Sequence, residues 1–361
     1  MRIMHIEAGR HLYGGARQVC YLIDGLVAEG MENMLVCARG SGISGAVRGA
    51  KVVELPMGGD LDVFWAGPLR NLIEAHAPDV VHVHSRRGAD LVGGRCARRA
   101  GAPAVLTRRV DSREPAWWAR VKYRPYSAVV AISSAVESEL VGHVGLHPGR
   151  VTRVASAVDT GRYRPEPSAR TRLEEAFGIP PESRIVGVIA QLIPRKGHAL
   201  LLDCLPDVIA RHPEIRVLFF GRGPLERALR RQIAERSLGN RVQLTGFRDD
   251  LAELLPGLDL LVHPALREGL GVAVLEAMSA SVPVVASDAG GIPDIVEHER
   301  SGLLFAAGGH GGLRHGMLRL LGDEALRQSL GRAGRERVAT EFSIRRMSRR
   351  YVEVYNRVLN D

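Results

Sequence analysis

Four ionisable side chains stand out for their spacing. Glu268 and Glu276 are separated by seven residues, and the interval begins Gly269, Leu270, Gly271. Some seventy positions earlier, QLIPRKGH (191–198) brings Arg195 and Lys196 side by side. Carboxylates accept hydrogen bonds from hydroxyl groups, whereas adjacent cations favour a phosphate or another oxyanion. Glycines beside them let a backbone amide approach a ligand closely. A ligand with both hydroxyls and a diphosphate would satisfy the two pairs together. Two carboxylates on a helix are ordinarily solvated charge, so the meaning of this pair depends on its surroundings.

Those surroundings are regular. Leu258–Val262 is an apolar run that predicts a buried strand, followed by a glycine-bearing loop, a helix over Gly271–Ala280 and a second strand over Pro283–Ser287. Strand, loop, helix and strand in that order form one unit of a parallel sheet. The basic turn has the same setting: a strand over Ile185–Ala190 precedes it and a helix over Ala199–Arg211 follows. Both pairs therefore fall where a strand's carboxyl end meets a helix amino end, the usual ligand position in open α/β sheets. Val217–Phe220, ending at Gly221, Val242–Thr245, ahead of Phe247 and Arg248, and Leu303–Phe305 complete a predicted sheet.

The first half repeats the alternation. Strands are predicted over Arg2–Ile6, Met34–Ala38, Val52–Leu55, Val80–Val83, Ala104–Leu106 and Ala128–Ile132, with helices over Ala16–Glu29, Leu69–Ala77 and Ser134–Val141. Gly14 and Gly15 open the first helix. His82 and His84 share one face of a strand, with His84 nearer its carboxyl end. Arg86 and Arg87 follow directly, and Arg108, Arg109 and Arg113 follow the next strand. Residues 86–124 hold 11 Lys/Arg against 3 Asp/Glu, which accounts for nearly all of the chain's net charge of +9. With Trp117 and Trp118 among these cations, the stretch suits an anionic acceptor or an anionic membrane face. Asp60-Leu61-Asp62 imitates a metal-binding pair but follows a glycine turn, and His82 and His84 lack zinc-ligand company; no catalytic metal is expected.

At 361 residues the chain is too long for one core, and Pro165, Pro167, Pro180 and Pro181 mark a connection between two domains. Four scattered cysteines form no Cys-x-x-Cys pair, and no apolar run is long enough to cross a bilayer. A cytoplasmic protein, with a peripheral contact at the membrane's cytoplasmic face, is expected.

The run from Leu258 through Gly290-Gly291-Ile292 resembles the donor-site signature of the retaining glycosyltransferases of family 4, and the resemblance extends loosely into the first half. It implies the α/β fold called GT-B, two doubly wound, Rossmann-like parallel-sheet domains facing across a cleft. Residues 1–165, joined by a final helix at 345–361, would bind the acceptor, and 166–344 the nucleotide sugar. By resemblance Glu268 binds the transferred sugar, Glu276 the ribose, and Arg195 and Lys196 the diphosphate. Gly14, Gly15, Gly221, Phe247, Arg248, Gly269, Leu270 and Gly271 line the donor. His84 approaches the reacting centre, with His82 behind it, and Arg86, Arg87, Arg108, Arg109 and Arg113 face the acceptor. Arg17 and Asp294 stand where relatives usually carry Glu. The implied reaction transfers a sugar from a nucleoside diphosphate to a glycan or glycolipid hydroxyl, lipopolysaccharide core or a related envelope glycan, with retention and with no cofactor beyond the sugar nucleotide. A sugar-nucleotide epimerase of the same fold is the alternative. A nucleic-acid-binding module using 86–124 is a weaker one, since no recognised nucleic-acid motif accompanies the charge.

Overall fold

The computed structural model describes residues 1–361 except Asp60, Leu61, Arg87, Asp111 and Asp361. The chain forms two compact units, Met1–Ala157 with Ile344–Asp361, and Val158–Ser343.

The first unit carries seven parallel strands: β1 (Arg2–Glu7), β2 (Glu32–Ala38), β3 (Lys51–Leu55), β4 (Val80–Val83), β5 (Ala104–Arg108), β6 (Ala128–Ala131) and β7 (Val151–Arg153). Their order is β3-β2-β1-β4-β5-β6-β7, so the winding reverses between β1 and β4. Strands buried on both faces are nearly uniform in Val, Ile and Leu. Among the buried polar exceptions are His5 and His82, which are register partners on β1 and β4. The last helix, Ile344–Asn360, places Met347, Tyr351, Val354, Tyr355 and Val358 on one stripe, packed with Tyr21, Leu22 and Leu26 of the helix Gly14–Ala28. Helices over Ala89–Arg99 and Ala116–Tyr123 and the strand β7 were not expected from sequence. The helix expected over Ser134–Val141 instead passes into a wider turn at Glu139–His143.

The second unit is a six-stranded parallel sheet: β8 (Arg184–Ile189), β9 (Ile215–Phe220), β10 (Val242–Gly246), β11 (Leu260–His263), β12 (Val284–Asp288) and β13 (Leu303–Ala306). Its order, β10-β9-β8-β11-β12-β13, reverses between β8 and β11. Its core is aliphatic, with Val186, Val262, Leu201 and Leu205 fully buried. The boundary lies eight residues before the one expected at 165/166. The intervening segment is packed rather than free. Tyr163 is buried and its carbonyl accepts from Ser279 Oγ at 2.6 Å, while Val158 N donates to Phe342 O at 2.9 Å. Prolines signal a connection, but the aromatic anchor just before them is buried within the second unit.

Candidate active site

β8 and β11 flank the switch point of the second sheet, and each is followed by one half of the candidate site. After β8 the chain turns through a short 3-10 helix, Pro194–Lys196, and enters the helix His198–Arg211. After β11 it runs through Glu268 into the helix Val272–Ser279. The two loops are joined along their backbones: Leu266 N donates to Arg195 O at 2.8 Å. Gly197 allows this approach. Its φ is +71°, and a Cβ there would lie 1.9 Å from Pro264 O. Gly290 does the same on the other side, with φ +57° and a would-be Cβ 1.8 Å from Glu268 O.

Three donors hold the Glu268 side chain. Lys196 Nζ and His263 Nε2 both bond Oε2, the latter at 2.8 Å, and Gly269 N donates to Oε1 at 3.0 Å. Burial would push this carboxyl's pKa up, but His263 and Lys196 outweigh it and hold it well below the usual carboxylate range. His263 ends β11, and in the sequence it marks only the end of a strand. A lone imidazole at the carboxyl end of an otherwise aliphatic strand was the available signal. His198, which opens the helix His198–Arg211, is buried with neither ring nitrogen bonded, and burial lowers its pKa to about 4. Glu276 is also buried, on the helix that starts after Gly271. Leu270 is buried too, while Gly221 follows β9 with φ +152°. Arg248 is forked onto Asp250, with Nε to Oδ1 at 2.8 Å, and Phe247 beside it is half exposed. The arrangement thus combines a cationic turn with a carboxylate fixed in its ionised form.

In the first unit, His84 and His82 lie in a buried polar cluster with His5. His82 Nδ1 bonds Tyr355 Oη and Nε2 bonds Thr107 Oγ1, both at 2.7 Å. His84 Nε2 bonds His5 Nδ1 at 2.9 Å, and His5 Nε2 bonds Asn33 Oδ1 at 3.0 Å. Burial lowers all three pKa values, that of His5 to about 4, so the rings are neutral. The sequence reading denied His82 and His84 metal-ligand company; the fold supplies His5, and one ligand atom of each lies within 4.8 Å of the others. Five of the six ring nitrogens are already engaged in hydrogen bonds, so a metal would have to displace them. His82 is accordingly a core residue, tied to the last helix, rather than an understudy at the reacting centre.

The basic stretch separates into distinct roles. Arg108 is 5% exposed and wholly engaged, donating to Val110 O, Ser112 O, Glu114 Oε2 and Tyr123 Oη. Its assignment to the acceptor is therefore corrected: it organises its own loop. Glu114, which the sequence reading passed over, is the hub, also bonding Lys122 Nζ at 2.6 Å and lying 3.5 Å from Arg86. Burial pushes the Glu114 pKa up, but Lys122 and Arg108 reverse this and hold it low. Arg86 additionally bonds Ser112 Oγ, and Arg113 pairs with Glu139 at 3.4 Å on the surface. Arg87 lies outside the described residues, as do Asp60 and Leu61 of the acidic pair. Asp62 accepts from Gly58 N and Phe64 N, as a turn-capping residue does. Gly14 and Gly15 are exposed at the start of their helix, whose first turn has no side-chain cap. Arg109 lies beneath Gly15, whose Cβ would come 3.8 Å from Arg109 Cδ.

Two Rossmann-like parallel-sheet units in one chain define the GT-B class of glycosyltransferase folds. Anabaena HepE, solved with UDP and glucose, has this fold with a TM-score of 0.87 at 21% identity, covering 99% of this chain and 100% of that one. Residues 13–162 match the model of Glycosyltransferase Family 4, and 169–337 that of glycosyl transferases group 1. A GDP-mannose-dependent alpha-(1-6)-phosphatidylinositol monomannoside mannosyltransferase of Mycobacterium tuberculosis is 30% identical over 82% of this chain and 79% of its own length. The lipopolysaccharide core biosynthesis mannosyltransferase LpsB of Rhizobium meliloti is 25% identical over 88% and 95%. The chain belongs to this glycosyltransferase family, which favours transfer over the epimerase and nucleic-acid alternatives.

Proposed function

We propose that the protein is a retaining, metal-independent glycosyltransferase that moves a sugar from a nucleoside diphosphate to a hydroxyl of an anionic glycan or glycolipid. The observation that carries this reading is the Lys196–Glu268–His263 cluster at the switch point of the second sheet. As the bond to the sugar breaks, the departing diphosphate gains negative charge. Arg195 and Lys196 stabilise that charge from a turn whose geometry is already fixed. The ring becomes cation-like, and Glu268 holds it by a hydroxyl, kept ionised and oriented by His263. Glu276 takes the ribose. Lys196 bonds Glu268 directly, so donor binding exchanges part of that pair for a phosphate contact while His263 keeps the carboxylate in place. The acceptor oxygen bonds the anomeric carbon on the face that the phosphate leaves and gives its proton to that phosphate, which gives retention.

The first unit takes the acceptor. The helix Ala116–Tyr123 exposes Trp117 by 69% and Trp118 by 38%, next to the exposed Arg113. Tryptophan with arginine suits the interface of an anionic membrane. This supports a peripheral position beside a lipid-linked acceptor, of which lipopolysaccharide core is one form. Among the described residues, no helix is long and apolar enough to cross a membrane. The experiment is transfer measured with the best-binding sugar nucleotide and membrane glycolipid extracts. Product whose anomeric configuration is inverted overturns the mechanism, and product formation that requires added divalent metal overturns the metal-free account.

A further inference from the structure

Three neighbouring strands of the first unit lead into buried polar groups, two of which are incompletely bonded. β1 ends in Glu7, His84 follows β4 and Arg109 follows β5, with the reversal of winding between β1 and β4. A chain of hydrogen bonds fixes what His84 offers. Asn33 Nδ2 donates to Met31 O at 3.0 Å, which turns Asn33 Oδ1 towards His5. His5 Nε2 must therefore carry the proton, leaving Nδ1 bare, and His84 Nε2 donates to it. The remaining nitrogen, His84 Nδ1, is then a lone pair, and it is buried with no donor facing it.

Arg109 is the complementary case. All three guanidinium nitrogens are buried without a hydrogen-bonded acceptor. Tyr351 is near enough for the guanidinium, by its charge and by a weak side-chain hydrogen bond, to offset part of burial's effect on the phenol, but that contact is too poorly aligned to satisfy a buried donor. Glu7 feels the same charge, and its Oε1 already accepts from Gly9 N at 2.7 Å. Leaving a buried polar group unpaired costs about 1–3 kcal/mol, more for a charge. Two such groups at one switch point suit a ligand rather than a packing fault. Gly15 is exposed and without a side chain directly above the arginine stem, which gives the ligand its approach.

We propose that these groups form a subsite for a hydroxyl-bearing phosphate ester, with Arg109 holding phosphate oxygens and His84 Nδ1 accepting the hydroxyl's proton in a hydrogen bond. The proposal rests on the transferase reading and deepens it: the acceptor carries a phosphate close to the hydroxyl that reacts or is read. Lys would be a poor substitute for Arg109, because the planar guanidinium presents two parallel donors to a phosphate.

The test uses the full chain and glycerol 3-phosphate as probe, with glycerol and inorganic phosphate as controls. Binding is followed by calorimetry and by proton–nitrogen spectra of the histidine rings. His84 should appear as the Nε2–H tautomer, its Nδ1 resonance moving with glycerol 3-phosphate and not with glycerol. R109Q should bind the ester about tenfold more weakly or worse, the loss of a charge-assisted pair. R109Q should bind UDP as the unaltered chain does, which also shows that it is folded. Absence of ester binding, equal ester affinity in R109Q, or equal shifts with glycerol would each overturn the subsite. Loss of UDP affinity in R109Q with ester binding retained would also overturn it, assigning the guanidinium to the donor. UDP binding by the unaltered chain reports the donor reading separately.

Discussion

At Glu268 one carboxylate is shared by a cation, an imidazole and a backbone amide, and each partner predicts a different defect. Glu268→Ala and Lys196→Ala remove sugar positioning and phosphate neutralisation. Each should lower transfer by about 10²–10³-fold while the protein stays folded. Near-normal transfer in either variant eliminates the site. His263→Leu should cost about tenfold in kcat, with His263→Gln recovering part of it because an amide can still donate. The depressed Glu268 pKa also fixes a pH dependence. The unfolded carboxyl titrates near 4.3, so the stabilisation is complete above about that pH and is lost as pH falls towards the lower folded value. Melting temperature should therefore fall less steeply between about pH 5 and 3 in Glu268→Gln. His5 follows the same direction in another window. Its neutral form is favoured in the fold, so its contribution is full above about 6.5 and declines as pH drops towards about 4. Hydrogen exchange of β1 and β4 at pH 7 and pH 5 measures this, and protection factors, taken relative to the intrinsic exchange rate at each pH, should be lower at pH 5.

Among the elements, what sequence made legible was the set of strands with continuous aliphatic runs and the loops that follow them. β8, β11 and β12 are legible because each is a short apolar run between polar segments, and the loops carrying Lys196 and Glu268 come with them. That Lys196 and Glu268 touch depends on β8 and β11 being neighbours, which pairing alone decides. Arg108 was misplaced for a related reason. Being at a strand end does not say where a long side chain turns, and Glu114 drew this one inward. His5 was invisible because a single imidazole within an aliphatic strand gains meaning only from its register partner His82. The backbone joint between the basic turn and the acidic loop has its own test. Gly197→Ala places a Cβ against Pro264 O at a left-handed φ. It should destabilise the second unit by about 2 kcal/mol or more and lower donor affinity with it, read by urea unfolding and calorimetry.

For the whole molecule, family membership and fold establish a glycosyltransferase, and the finer identity depends on which ligands each unit takes. If Trp117 and Trp118 meet a membrane, replacing both with Ser should reduce cosedimentation with anionic vesicles and leave transfer to a water-soluble acceptor unchanged. Equal cosedimentation removes the membrane role. The donor claim is tested apart from the acceptor, because its charged residues, Arg195, Lys196, Glu268 and Glu276, lie entirely within Val158–Ser343. A panel of UDP-, GDP-, ADP- and dTDP-sugars tested by thermal shift on the unaltered chain and on Lys196→Ala addresses it most directly. At least one sugar nucleotide should raise the melting temperature of the unaltered chain, as a ligand that binds only the folded state must, and that rise should be largely lost in Lys196→Ala. A panel that raises neither, or raises both equally, would contradict the account.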